Sequence, residues 1–317
     1  MADEPSAPHD PAPADFGAWL GGTRRVSDAL TLERARKLAA MLDLAPEGLR
    51  PGDALPPGWH WIYFHEPIPR ARLGDDGHEL RGDFLPPIPL ERRMWAGGRL
   101  RFRRPLHIGD EVTRVSTIRS IREKEGRRGP LAFVTVEHRL LVDGDLALEE
   151  EQDLVYLNRP PLGQSNRADT HSREPGDEAT PGGVHVPGAP GRGERFTPNE
   201  ITLFRFSALT FNAHRIHYDR RYAVETEGYP DLVVHGPLLA LLLLNTAVRL
   251  AAGGDAADGA AGAGMVFSYR ALRPLFCGET VELIGGRAVE AGNGRAFELR
   301  ARRPDGTTVM RASMTDP

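Results

Sequence analysis

A short polar segment holds the side chains of this sequence that could carry out acid–base chemistry. It reads FSALTFNAHRIHYDRRYA over residues 206–223 and places Asn212, His214, His217 and Asp219 within eight residues. A histidine can accept and return a proton near neutral pH because its ordinary pKa lies close to 7. An asparagine amide can hold a water molecule by hydrogen bonds but cannot act as a general base. The segment therefore predicts a site in which a histidine moves a proton, with Asp219 in a structural hydrogen bond.

A second segment predicts where this site lies. Residues 233–250 read VVHGPLLALLLLNTAVRL and are apolar on nearly all faces of the helix expected from Pro237 to about Ala252, so protein must surround that helix. Proline suits the first helical turn. The N–H of Gly236 would lie at the helix N-terminus, where the peptide dipoles favour negative charge. We therefore expect the polar segment to lie against the start of this helix, so that both face one ligand.

The histidines of the two segments admit other roles. His214 and His217 are three residues apart, a spacing that could suit a metal ion, but no HExxH pattern accompanies them. His235 could contact a ligand beside Gly236, or it could make a local hydrogen bond. We predict no metal site.

Composition and charge exclude several classes of protein. The 317 residues include 40 Lys and Arg against 44 Asp and Glu, a formal net charge of -4. A nucleic-acid-binding protein would normally carry a basic excess. Because Cys277 is the only cysteine, neither an intrachain disulfide nor a cysteine-based metal site is possible. We therefore expect no nucleic-acid partner and a reducing, cytoplasmic location.

Two further features argue against secretion and membrane insertion. Residues 1–15, MADEPSAPHDPAPAD, are acidic and rich in proline and alanine, which predicts a disordered tail rather than a signal peptide. The apolar run Leu238–Leu244 is only seven residues long, whereas a membrane span needs roughly 20. We expect no membrane partner.

A change in composition divides the chain into two halves. Residues 160–197 are rich in proline, glycine, serine and charge, which predicts a flexible linker between domains at 16–159 and 198–317. Both halves contain the pattern R-P-L-x-x-G-x-x-V, at 104–112 and 273–281. Alternating polar and apolar residues follow each copy and predict antiparallel strands. The pattern indicates either an internal repeat or a chance match.

Helices and turns complete the expected unit. TLERARKLAAMLDL in the first half predicts a helix with Thr31 or Asp28 at its N-cap. The Asp-Gly pairs at 143–144 and 305–306 suit hairpin turns. One long buried helix surrounded by a curved antiparallel sheet, used twice, gives an α+β fold.

The polar segment and the helix that follows it resemble the hydratase motif of the MaoC-like, (R)-specific enoyl-thioester hydratases and dehydratases. The usual motif, Ser-Gly-Asp-x-Asn-Pro-x-His-x-Asp, keeps its histidine at His217 but has Asn212 where the family has a catalytic aspartate. That departure is similar to a subgroup, the mitochondrial-type 3-hydroxyacyl-thioester dehydratases and mesaconyl-C4-CoA hydratases. ERRMWAGGRLRFRRPLHIGDEV, residues 91–112, resembles the first domain of the same subgroup.

The resemblance implies a double hot-dog fold and an acyl-CoA substrate without a further cofactor. It assigns His217 as the group that moves the proton, Asn212 as the group that positions water, and Gly236 as the donor to the enolate oxygen. Substrate contacts are expected from His214 and His235. Arg93 and Trp95 would contact CoA phosphates or a substrate carboxylate, unless they form a plain strand.

The expected reaction is hydration of an enoyl-CoA, with mesaconyl-C4-CoA as the favoured substrate. A hot-dog thioesterase and a non-catalytic acyl-thioester-binding protein are the alternatives. The molecule would be a homodimer or a pseudo-dimeric monomer.

Overall fold

One antiparallel sheet of ten strands organises the protein. The computed structural model describes residues 16–126, 129–159, 193–253, 262–288 and 294–316. The strands are β1 (Thr23–Ala29), β2 (Arg92–Phe102), β3 (Glu111–Gly126), β4 (Gly129–Val142), β5 (Asp145–Leu157), β6 (Glu194–Phe196), β7 (Val266–Ala271), β8 (Val281–Ala288), β9 (Arg295–Arg302) and β10 (Thr308–Asp316). The helices are α1 (Leu32–Met41), α2 (Glu200–Leu209) and α3 (Gly236–Ala251). Short 3₁₀ turns lie at Gly17–Trp19, Pro46–Gly48, Trp59–Ile62, Arg70–Arg72 and Arg215–His217, and a π-helical turn at Tyr222–Thr226.

The strand order shows that the chain contains the same unit twice. The sheet runs β1-β3-β4-β5-β2-β7-β10-β9-β8-β6, so each half arranges its five strands as first, third, fourth, fifth, second. The two R-P-L-x-x-G segments occupy equivalent places, between the second and third strands of their halves. The predicted internal repeat is therefore confirmed, and the two five-stranded sheets join edge to edge in one continuous sheet.

The joint between the halves is the pairing of β2 with β7, over Gly97–Arg101 against Val266–Arg270. Glycine is required at its centre, because a Cβ on Gly98 would lie 2.4 Å from the Tyr269 hydroxyl and 2.4 Å from the Glu151 carbonyl oxygen. A register shift in β2 follows Trp95. Such bulges redirect side chains and are frequent beside active sites.

The second half has the predicted helix surrounded by a sheet. Helix α3 begins at Gly236 with Pro237 in its first turn and buries seven side chains, among them Leu238, Leu241 and Leu244. It packs on β8, β9 and β10, and it also contacts β2 and β7. Its near-uniform apolarity follows from this enclosure. Among the described residues, no helix combines the length and apolar character needed to cross a bilayer.

The first half departs from the expectation of a long buried helix. Helix α1 is formed where the sequence predicts it, with Thr31 at the N-cap, but it spans ten residues and buries only one face. It packs chiefly against α2 and two 3₁₀ turns rather than across the sheet. The 3₁₀ turn Trp59–Ile62 and the long irregular segment before β2 take part in covering the inner face of β3–β5 instead.

Most turns and boundaries agree with those predicted from the sequence. Asp143 and Gly144 both have positive φ, 53° and 88°, as a tight β4–β5 hairpin requires. The Asp305-Gly306 pair connects β9 to β10. The predicted linker ends too late, because Glu194–Phe196 pairs with β8 as strand β6. The predicted tail at 1–15 and the linker over 160–192 lie outside the described residues.

A buried ion pair ties the halves together at a second place, outside the β2–β7 pairing. Arg92 on β2 donates from Nε to Glu227 Oε2 at 2.7 Å, and both side chains are 4% exposed. The Arg92 guanidinium also donates to the Glu227 backbone carbonyl. Arg159 and Tyr222 each hydrogen bond to the other carboxylate oxygen of Glu227. Removing one partner of such a pair leaves a buried charge uncompensated.

Replacing Glu227 with alanine is expected to lower the free energy of unfolding by about 3–5 kcal/mol. Glu225→Ala is the matched control, because its ion pair with Arg221 is exposed and such surface pairs contribute little to stability. Chemical denaturation of both variants and the parent measures the difference. Equal losses in the two variants would show that Glu227 does not hold the halves together.

Candidate active site

A cavity of about 510 Å³ lies between the two halves and contains most of the predicted site. Its lining comes from both halves, from the motif segment and from the start of α3. The predicted residues that line it are Asn212, His214, His217, Gly236, Arg93 and Trp95. His235 is the predicted site residue that does not.

His217 is held as a neutral base facing the cavity. It ends the 3₁₀ turn Arg215–His217 and is 7% exposed. Its Nδ1–H donates to the carbonyl oxygen of Val233 at 2.7 Å, which leaves Nε2 unprotonated and able to accept a proton. Burial lowers the pKa of His217 to about 4, although the hydrogen bond to Val233 opposes that shift. The imidazole is therefore in its basic form at neutral pH.

His235 supports His217 from behind instead of contacting the cavity. The two rings stack with centroids 3.7 Å apart and an interplanar angle of 17°. His235 is 1% exposed, and its Nε2 hydrogen bonds to Ser207 Oγ at 2.9 Å. Burial keeps its pKa well below the ordinary value, and so does the charge that His217 would carry if protonated. The local hydrogen bond, rather than the predicted substrate contact, is the role the structure gives it.

Asn212 lines the cavity, and its side-chain carbonyl is already engaged. Its Oδ1 accepts from the backbone N–H of His214 at 2.9 Å, and its own backbone N–H donates to Ser207 at 2.8 Å. The amide NH₂ is thus the side-chain group of Asn212 that remains to bind a ligand in the cavity that His217 also lines. Asp219 has the structural role predicted for it, accepting from Arg215 and from the backbone N–H of Tyr222.

Gly236 places the N-terminus of α3 at the cavity wall. It is the first residue of the helix, follows His235 as N-cap and is followed by Pro237. An N–H at this position has no partner in a preceding turn, and the helix dipole favours negative charge there. Trp95 lies opposite, with its ring 3.8 Å from where a Cβ on Gly236 would be.

A loop from the first half completes the site, which the sequence did not predict. His78 packs on His214 with ring centroids 4.0 Å apart, and Asp76 Oδ2 hydrogen bonds to His78 Nδ1 at 2.9 Å. Burial and the positive charge of Arg93 together lower the pKa of His78 to about 4, although Asp76 opposes that shift. Burial raises the pKa of Asp76, but the hydrogen bond and charge of His78 outweigh it and hold that pKa below its ordinary range. The only signal in the sequence was a histidine close to two aspartates, in DDGHEL.

The same three side chains offer the donor set that could hold a metal ion. One ligand atom each from Asp76, His78 and His214 lies within 4.8 Å of the others. The predicted alternative paired His214 with His217, whereas these rings stand at 90° with centroids 5.3 Å apart. The hydrogen bond between Asp76 and His78 is also the arrangement by which a carboxylate orients an imidazole, and it needs no ion.

Comparison with solved structures shows the fold class to which this protein belongs. A MaoC-like dehydratase superposes with a TM-score of 0.61 at 16% identity, covering 94% of this chain and 98% of that one. HtdX of Mycobacterium tuberculosis superposes with a TM-score of 0.57 at 17% identity, over 92% of this chain and 99% of that one. The protein is a double hot-dog of α+β architecture, as the sequence resemblance implied.

Comparison of sequences gives the family. The family model for hydroxyacyl-thioester dehydratase type 2 matches residues 58–277, and the chain belongs to that family. A protein of Chloroflexus aurantiacus named mesaconyl-C(4)-CoA hydratase is 44% identical over 95% of this chain and 98% of its own length. The mitochondrial hydroxyacyl-thioester dehydratase type 2 of Schizosaccharomyces pombe is 33% identical over 60% of this chain and 66% of its own.

The docking of the first-half loop on the motif depends on a glycine. Gly77 has φ +88°, and a Cβ there would lie 1.8 Å from the Ala213 carbonyl oxygen. Beside it, the backbone N–H of Arg215 donates to the Asp76 carbonyl at 2.9 Å. A side chain at position 77 would therefore separate the loop from the motif.

Gly77→Ala is expected to lower the free energy of unfolding more than Gly52→Ala does. Both glycines have positive φ, 88° and 86°, but Gly52 has open space around it. The two variants share the backbone strain, of about 1–3 kcal/mol, and only Gly77→Ala adds a steric clash that costs about 1–3 kcal/mol more. Denaturation of the two variants side by side measures the clash, and equal stabilities would refute the close contact.

Proposed function

We propose that the protein catalyses the reversible addition of water to an enoyl-CoA thioester, with mesaconyl-C4-CoA as its substrate. The observation that carries the proposal is one cavity in which a neutral His217 with a free Nε2 meets the Asn212 amide and the N-terminus of α3. The 44% identity to a relative named for mesaconyl-C(4)-CoA hydration, over nearly the whole of both chains, supports the choice of substrate.

In the proposed reaction each of these groups has one task. The Gly236 N–H binds the thioester oxygen, and the Asn212 amide holds a water molecule beside His217. Nε2 of His217 removes a proton as the water oxygen bonds to Cβ, and the electrons of the double bond move through Cα to the thioester oxygen as an enolate. The imidazolium then gives its proton to Cα and the thioester carbonyl reforms. The product is a 3-hydroxyacyl-CoA, and His217 ends neutral as it began.

The surroundings of His217 suit both steps of this reaction, the uptake of the proton and its return. Burial disfavours the imidazolium, so the base is not lost to protonation by solvent. The Val233 carbonyl lies on Nδ1–H, where it stabilises the positive charge once the proton has been taken. The enolate oxygen at the start of α3 develops negative charge at the same moment, which compensates the charge on the ring.

The other lining residues are proposed to hold the substrate. In mesaconyl-C4-CoA the free carboxylate is bonded directly to Cβ, so its receptor must adjoin Asn212 and His217. Arg93 supplies positive charge there, since its charge lowers the pKa of both His78 and His214. We assign the carboxylate to Arg93, with the His214 ring beside it and Trp95 forming the wall.

The remaining expectations form part of the same proposal. His217 and the amide donors supply both proton transfer and charge stabilisation, so the reaction would use no further cofactor. The enzyme would act on acyl-CoA in the cytoplasm. It would be a homodimer or a monomer, because β2 and β7 of one chain already bring both halves to the cavity.

The proposal is tested with mesaconyl-C4-CoA and crotonyl-CoA while enoyl absorbance and free thiol are followed together. Loss of absorbance without thiol release is the expected result. His217→Ala should lower the rate by about 10²–10⁴-fold, the usual contribution of general acid–base catalysis, while the protein stays folded. Release of thiol would identify a thioesterase, and no change in either signal would leave a binding protein. Near-normal turnover in His217→Ala would disprove the assignment of the base.

Asn212→Asp tests the position at which this chain departs from the motif. A carboxylate beside His217 favours the imidazolium and should raise its pKa from about 4. The base then becomes protonated at higher pH, so the acid limb of the pH–rate profile should move upward and activity should fall more at pH 6 than at pH 8. Asn212→Ala should lose activity at all pH values, because the water loses its donor. Full activity with an unchanged profile in Asn212→Ala would place Asn212 outside the mechanism.

A further inference from the structure

The inner face of the first sheet carries a row of polar side chains where a hydrophobic core would be expected. Ser116, His138 and Glu150 stand in direct register across β3, β4 and β5. His138 Nδ1 hydrogen bonds to Ser116 Oγ at 2.7 Å, and its Nε2 to Gln152 Oε1 at 3.3 Å. We call these four residues, with Arg114 next to them on β3, the polar row. All of its members line the cavity.

The polar row contains a buried charge. Glu150 is 4% exposed and accepts from His60 Nε2 at 3.0 Å and from Trp61 Nε1 at 2.9 Å. Both partners belong to the 3₁₀ turn that lies on this face of the sheet. Burying a carboxylate costs free energy that hydrogen bonds only partly recover.

The second half has apolar residues at every matching position. Counted from the glycine of each Asp-Gly hairpin, Glu150 and Gln152 correspond to Ala312 and Met314. The strand pairings then place His138 at the position of Leu299, Ser116 at that of Gly285 and Arg114 at that of Leu283. The residues of the second half at the five places are Leu283, Gly285, Leu299, Ala312 and Met314. Helix α3 packs against this face so closely that a Cβ on Gly285 would lie 2.6 Å from Leu250 Cδ1.

The fold itself does not require the polar row. Apolar clusters lie on both sides of it in the first sheet, around Leu140 and Leu148 toward one end and around Val134 and Tyr156 toward the other. The repeated unit is built with an apolar face in the second half. The polarity therefore belongs to the cavity that the row lines.

The polarity of this part of the cavity, rather than its volume, limits which acyl chains can bind. A cavity of about 510 Å³ is within the range of roughly 300–1,000 Å³ that holds drug-sized ligands. Space alone would therefore admit more than a four-carbon acyl group. An alkyl chain laid along the row would desolvate the partly exposed His138 and Gln152, next to the charge of Glu150, without offering a hydrogen bond in return.

We propose that the polar row is the specificity-determining wall of the acyl pocket, which excludes longer apolar acyl chains and restricts the enzyme to short acyl groups. The inference rests on the proposed function, because it names the substrate class of the same site. It is separate from the assignment of Arg93 to the carboxylate, since it concerns chain length and apolarity. Desolvating one polar group without a partner weakens binding by about tenfold or more.

The experiment compares the binding of three saturated thioesters, butyryl-CoA, succinyl-CoA and octanoyl-CoA, by calorimetry. Because none of them can be hydrated, binding is measured apart from catalysis. The variants are the triple replacement His138→Leu, Glu150→Ala, Gln152→Met, which installs the residues of the second half, and Gln152→Met alone. Glu151→Ala, on the same strand but paired with Arg101 outside the cavity, is the matched control. Hydration of crotonyl-CoA and 2-octenoyl-CoA is followed in parallel.

The unmodified protein should bind butyryl-CoA at least about tenfold more tightly than octanoyl-CoA. The triple variant should reverse that ratio, Gln152→Met should move it part of the way, and Glu151→Ala should leave it unchanged. Equal or tighter binding of octanoyl-CoA by the unmodified protein overturns the inference, as does an unchanged ratio in the triple variant when it is folded. If the triple variant does not fold, an unchanged ratio in Gln152→Met is the overturning result.

Failure of the inference and failure of the proposed function give different results. Hydration of crotonyl-CoA together with equal binding of butyryl-CoA and octanoyl-CoA overturns the inference alone. A preference for butyryl-CoA without hydration of any enoyl-CoA overturns the hydratase function alone. If none of the three thioesters binds, both are overturned. The ratio of succinyl-CoA to butyryl-CoA reports on the carboxylate receptor and should be unaffected by Gln152→Met.

Discussion

The antiparallel pairing of β2 with β7 is the contact on which the rest of the molecule depends. Alone, each five-stranded sheet would end in an open edge, with unpaired backbone groups that favour aggregation. Their union gives one ten-stranded sheet and places the cavity at the boundary between the halves. Trp95, next to the bulge in β2, can then lie opposite the start of α3. The motif segment belongs to the second half, but its surroundings depend on this joint.

Within that frame, the site positions one proton acceptor by packing rather than by charge. The Val233 carbonyl fixes the tautomer of His217, and the stacked ring of His235 holds the imidazole plane. Neither contact introduces a carboxylate beside the base. A motif with asparagine at position 212 is therefore consistent with a histidine that works as an uncharged base in a buried setting.

The sequence predicted those features that are set by local patterns. The alternation of polar and apolar residues predicted the strands, the Asp-Gly pairs predicted the hairpins, and the apolar run after Gly236 predicted α3. The R-P-L-x-x-G repeat gave the twofold architecture. The motif placed His217, Asn212 and Gly236 together, because all three lie within 25 residues of one segment and share the start of one helix.

What the sequence did not predict depends on contacts between distant residues. The periodicity of TLERARKLAAMLDL gives a helix but not the surface it packs on, and the face that a long helix would have covered is polar. Asp76 and His78 reach His214 from more than 130 residues away, through a loop without periodicity. His235 was predicted to contact the ligand because it precedes Gly236 in the sequence. In the structure, the backbone directs its side chain behind His217.

Fusion of the two halves into one polypeptide has an evolutionary consequence. In a dimer of identical subunits every substitution appears twice, so a glutamate gained on one inner face is also gained beneath the other subunit's central helix. A tandem gene escapes that constraint, because each copy accumulates its own changes. In this chain the second half has the apolar face beneath α3 and the motif segment, whereas the first half has the polar row on the matching face. Selection for substrate could thus act on one copy while the ancestral scaffold persisted in the other.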